Sequence, residues 1–162
     1  MELGELWLRL EELPLAIYIG ETSWFPMIES IHVLAATLVF GSLLMVDLRL
    51  LGLAARRYQI SRVVGELVPW SVGAFVVAVM AGAGLFITRA NGYMNNTAFQ
   101  IKLVLLALAG INIAVFHLRT FRNAAEWEES SSSPFMARLA GSASLGIWAG
   151  VMLAGRWIGH LP

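Results

Sequence analysis

Cysteine is absent from the chain. That absence removes structural disulfides, thiolate metal sites, iron–sulfur clusters and covalent c-type haem attachment. Charge is also scarce: 14% of residues are Asp, Glu, Lys or Arg, the formal net charge is zero, and no block of basic residues occurs. Nucleic-acid binding and strong attachment to an anionic surface are excluded on that ground. Histidine is limited to His32, His117 and His160, so a metal or redox cofactor would depend on imidazole, thioether or carboxylate. The methionines show no Met-x-x-Met or His–Met spacing, which makes copper the lesser expectation. The opening "MELGELWLRLEELP" has neither a basic n-region nor a small-residue cleavage site, and reads as mature sequence rather than a secretory signal.

What the chain has in abundance is apolar surface, 58% of its residues. Runs long enough to cross roughly 30 Å of hydrocarbon extend over about Pro26 to Leu53, Val63 to Thr88, Ala98 to Leu118 and Arg138 to Ile158. The fold class expected is all-α, an integral membrane four-helix bundle forming one membrane domain over residues 1–162. Ahead of it, residues 1–22 form an amphipathic segment, with Leu3, Leu6, Trp7, Leu10 and Leu13 at helical spacing. That segment either lies on the membrane surface or packs over the bundle's mouth. The stretch 123–137, containing "EWEESSSSPF", is expected to be a cytoplasmic loop. Trp24, Trp70, Trp127 and Trp157 fall near span ends, where indoles are common.

Orientation follows from Lys and Arg. The connections after spans one and three hold Arg49, Arg56, Arg57, Arg62, Arg119, Arg122 and Arg138; the other segments hold Arg9, Arg89, Lys102 and Arg156. The positive-inside bias then puts both termini outside the cytoplasm. Small residues recur at helical spacing as Ser142, Gly146, Gly150 and Ala154 on span four and as Ala74, Ala78 and Gly82 on span two. Such stripes admit close helix approach or a flat ligand.

Ionisable groups inside a membrane are costly and sort here into two layers. The outer layer collects Glu29, His32, Arg89, Lys102 and Arg156; the inner one holds Asp47, Arg49, His117 and Arg119, with Asn112 nearby. Glu29 and His32 share a helix face, so the carboxylate is expected to orient the imidazole. Asp47 with Arg49 is expected to anchor the end of span one or to pair with Arg138. His32 and His117 are candidate metal ligands, but at ~1.5 Å per residue they lie on the order of 20 Å apart in depth, too far to share a metal. A haem on His32 would take another sixth ligand, with Met152 and His160 as candidates, and Lys102, Arg89 and Arg156 would face its propionates.

Taken in order, "IHVLAATLVFGSLLMVDLRLLG", "KLVLLALAGINIAVFH" and "AGRWIG" resemble an uncharacterised family of four-span bacterial inner-membrane proteins. More distantly, the histidine opening span one, Gly41, Arg49 and the lysine opening span three resemble HemJ-type protoporphyrinogen oxidases and copper-resistance D membrane proteins. That resemblance implies haem b, a cofactor role for His32 and a substrate or propionate role for Lys102. The function expected is a multi-pass haem b protein of the bacterial inner membrane that passes electrons, or oxidises a small hydrophobic substrate, with a redox partner or quinone. The competing expectation is a cofactor-free structural subunit. Either is expected to form a homo-oligomer within the lipid bilayer.

Overall fold

The structure is a computed structural model of the chain, describing residues 3–55, 57–120 and 134–160. The described residues form α1 (Leu3–Glu11), α2 (Pro14–Glu21), α3 (Trp24–Leu50), α4 (Ile60–Thr88), α5 (Ala90–Asn95), α6 (Thr97–Val115) and α7 (Phe135–Trp157). A single π turn, Phe116–Thr120, continues α6. Most of the loop expected at 123–137, Trp127 included, lies outside the described residues; its end is helical, because α7 begins at Phe135.

Four helices, α3, α4, α6 with its π turn, and α7, are long and apolar enough to cross a membrane. They alternate in direction. Near one end His32 of α3, Gly82 of α4, Lys102 of α6 and Gly155 of α7 come together. At the other, Asp47 and Leu50 of α3 meet Gly141 of α7. Leu50 also joins Ile60, Val64, Phe116 and Ala137 in one apolar core. A second core, nearer mid-bundle, gathers Val39, Ala74, Ala109, Trp148 and Val151. Leu34, Met80, Val104 and Leu153, one from each span, point outward and are well exposed. Large apolar side chains on every outer face are what a lipid-solvated bundle presents.

The helices form an open arc. α3 packs against α4 and α7, and α6 packs against α7, but the α4 and α6 backbones stay apart and meet through side chains such as Phe86 and Phe99. Small residues explain the closest pairing: Ser71, Ala74, Ala78 and Ala81 are all buried on α4, so its backbone can approach α3. The small-residue stripe of α7 is divided. A Cβ at Gly150 would meet Leu105 of α6 at 3.0 Å, whereas one at Gly146 would meet nothing within 4 Å.

Local signals set the helix ends. Gly52, at φ +71°, closes α3 with the paired bonds Leu53 N–H to Leu48 O (2.9 Å) and Gly52 N–H to Arg49 O (3.1 Å), the left-handed C-terminal motif that glycine adopts without strain. Asn96 caps α6, its side chain accepting from Phe99 N–H at 3.0 Å. The N-terminal segment is two helices rather than one, broken before Pro14, which takes the first turn of α2 where its missing amide costs nothing. The two helices pack over one end of the bundle. α1 meets α4 and α5, and α2 meets α3 and α4. Glu11 accepts a hydrogen bond from the Asn91 backbone N–H at 2.8 Å.

Candidate functional site

His32 lies one-third of the way along α3 and turns into the bundle. Its Nδ1 is 2.8 Å from the carbonyl of Ala78 on α4. A carbonyl can only accept, so Nδ1 carries the proton and Nε2 keeps its lone pair. That lone pair faces Lys102 of α6, whose Nζ is 3.4 Å away. Glycines make room for both groups: a Cβ at Gly82 would be 3.1 Å from His32 Cε1, and one at Gly155 would be 3.7 Å from Lys102 Nζ. Lys102 is half-buried, and among the described residues no carboxylate lies at ion-pair distance from it.

Aromatic side chains close this end. Phe86, one turn beyond Gly82 on the same face of α4, stacks on Phe99 at 5.7 Å between centroids, with Tyr93 5.3 Å from Phe99. Trp7 of α1 meets Phe86 edge-on at 5.8 Å. Phe99 precedes Lys102 by three residues, so the cluster sits one turn outside the His32–Lys102 pair. Burial pushes the Tyr93 phenol above its ordinary value, partly offset by Arg89. The lid is invisible in the sequence because its four rings come from four separate helices.

Several expected partnerships change. Glu29 is exposed and does not orient His32; the Ala78 carbonyl does, because Gly82 has no side chain to hold the ring off α4. The two ring nitrogens of His32 meet the Ala78 carbonyl and Lys102 Nζ; Met152 is half-buried on α7 and His160 is exposed beyond its end. Arg89 is exposed beside Glu11 and Glu21 in a polar cleft between α2 and the end of α4. Arg156 is exposed too. His117 lies at the opposite end, exposed in the π turn, with Nδ1 3.1 Å from its own Ile113 carbonyl. Arg49 donates from Nε to the Tyr58 carbonyl at 2.8 Å and so braces the loop after α3. Asp47 is only 4% exposed, and among the described residues no arginine lies at ion-pair distance from it.

Four alternating, lipid-faced helices define the class: this is a multi-pass helical membrane protein. The chain belongs to a family of unknown function, DUF6644, whose model matches residues 11–161. Neither a curated protein nor a solved structure matches it.

Proposed function

We propose that the chain is a haem b protein of the bacterial inner membrane, with His32 Nε2 as an iron ligand and a role in electron transfer. The observation that supports this is the tautomer: Nδ1–H is committed to the Ala78 carbonyl, which leaves a basic Nε2 lone pair inside the bundle, the arrangement that suits a metal-ligating histidine. The donor set fits haem in chemistry: one neutral imidazole beside a half-buried cation, Lys102, whose Nζ lies 3.4 Å from its Nε2. His32 would hold the iron through Nε2, and Lys102, whose Nζ lies 3.4 Å from that nitrogen, would supply the positive charge for a propionate. Haem would supply one-electron chemistry there. The chain's own contribution is to hold the imidazole against α4, to place one positive charge beside it and to exclude water with the lid of Trp7, Phe86, Tyr93 and Phe99. The likeness of His32 and Lys102 to the histidine and lysine of HemJ-type oxidases supports the same reading.

By the positive-inside bias both termini face away from the cytoplasm and the His32 end is extracytoplasmic. The outward small residues Ser142 and Gly146 of α7 leave a helix face for a second copy of the chain.

The test is the spectrum of the purified protein. Haem b gives a Soret band and a reduced α-band, both lost in His32→Ala, while Lys102→Ala retains haem with an altered potential. A colourless preparation from haem-replete cells overturns the proposal. One contact favours a second, cofactor-free reading. α6 buries only Ala98 and Ala109, and the Lys102–His32 bond is one of the few polar links holding it to the bundle. As a structural clasp, His32→Ala lowers thermal stability and removes no chromophore.

A further inference from the structure

Asp47 is the one aspartate of the sequence, and it is buried in the half of the bundle away from His32. Among the described residues no Lys, Arg or His nitrogen lies at ion-pair distance from it. The nearest cations along the chain are committed elsewhere: Arg49 donates to the Tyr58 carbonyl and Arg62 to Glu66. Asp47 borders a mostly apolar cavity of about 210 Å³ lined by all four spans. One turn of α7 gathers the polar part of its wall. A Cβ at Gly141 would meet the Asp47 backbone oxygen at 3.3 Å, Asn112 of α6 donates from Nδ2 to the Ala140 carbonyl at 3.1 Å, and Ser144 lies one turn beyond Ala140 on the same face. Asn112 thereby keeps Oδ1 as an acceptor. Ser42 and Ser142 return their hydroxyls to the carbonyl four residues back; the carbonyl four residues before Ser144 is the one that Asn112 takes. The indole nitrogen of Trp148 is the one enclosed polar side-chain atom without a hydrogen bond among the described residues. The oxygens of Asp47 and Ser144 are not sealed in that way, and the little surface these residues retain borders the void they line.

We propose that this cavity binds a small lipophilic primary amine as its ammonium, held by the Asp47 carboxylate and admitted from the bilayer between α4 and α6. Charge selects the head: a carboxylate buried in apolar surroundings is costly until a positive group meets it, and an anion is repelled. Hydrogen bonding selects a primary ammonium, because its three N–H donors match the three acceptors of that layer, the Asp47 carboxylate, Asn112 Oδ1 and Ser144 Oγ. A quaternary head offers none. The apolar remainder of the wall, Val46, Val68, Leu106 and Ala109 among it, argues for a hydrocarbon body and against a bare metal ion, which would leave that surface uncovered. The volume keeps the body small, being below the ~300–1,000 Å³ of pockets that enclose drug-sized molecules. The route is the gap where the α4 and α6 backbones stay apart: Val72 and Ile113 line the cavity and are also exposed on the outer face of the bundle. Only binding is inferred, and it does not depend on haem at His32, which lies ~22 Å from Asp47 along α3 at roughly 1.5 Å per residue.

The experiment uses the full chain in phosphatidylcholine nanodiscs, with hexylamine as probe. Because the chain has a single aspartate, labelling with [4-¹³C]aspartate gives one side-chain carboxyl signal. The expected result is a saturable shift of that signal, with radiolabelled hexylamine retained above the level of empty nanodiscs and its affinity lowered about tenfold or more in Asp47→Asn. Gly110→Leu fills a cavity-lining position where a Cβ meets nothing within 4 Å; it abolishes retention while the Asp47 signal persists, which keeps the test decisive if Asp47→Asn fails to fold. Hexanol binding as tightly as hexylamine would make the cavity an undiscriminating apolar void and overturn the proposal. Equal binding of hexyltrimethylammonium would remove the part given to N–H donors and overturn it too. So would the same carboxyl shift with sodium ions alone, or no saturable retention by the folded wild type. The readout is the aspartate signal, so failure here leaves the His32 spectrum untouched, and the reverse holds.

Discussion

At the scale of single residues, the glycines separate packing from pattern. Gly82→Ala places a methyl 3.1 Å from His32 Cε1, where the ring is held by the Ala78 carbonyl and cannot retreat freely. It should cost roughly 1–3 kcal/mol, measured as a lower unfolding midpoint in detergent. Gly146→Ala meets nothing within 4 Å and should change stability by less than about 0.5 kcal/mol. Both glycines belong to small-residue stripes, and sequence spacing gives no means of ranking them. The same limit explains the misassigned partner of His32. Its helix face was legible, but the group opposite it was set by an absent side chain on another helix, so a carboxylate one turn away looked like the natural partner.

Elements were legible where hydropathy runs are long. The four spans fall within a few residues of the expected ends, with α3, α4 and α7 starting two or three residues earlier, over residues 24–25, 60–62 and 135–137. Short elements were not: α5 and the π turn carry no periodicity of their own, and the break before Pro14 was submerged in an otherwise continuous amphipathic pattern. Two predictions belong here. Gly52→Ala puts a Cβ into a left-handed residue closing α3 and should cost about 1 kcal/mol, again read from the unfolding midpoint. Glu11→Ala removes the acceptor of the Asn91 N–H and should cost about 1–3 kcal/mol locally. Hydrogen exchange at Asn91 should accelerate correspondingly while exchange in mid-α4 stays unchanged.

For the whole molecule, the absence of cysteine becomes an advantage, since each introduced thiol is unique. Gly4→Cys and Ser61→Cys mark opposite ends of the bundle. In intact cells with a permeable outer membrane, an impermeant maleimide should label the first and not the second; the reverse pattern would invert the orientation argued from Lys and Arg. Gly146→Leu should lower the particle mass in detergent if a second copy uses that face of α7, and leave it unchanged otherwise. What the sequence could not convey at this scale is the open arc. Asp47, Ser71, Asn112 and Ser144 each looked like an isolated polar residue in an apolar span, and only the failure of α4 and α6 to close brings them, with Trp148, around one void.

The unsealed side between α4 and α6 also decides what fills the space between them: Val72 and Ile113 are exposed there, so acyl chains rather than side chains solvate that gap.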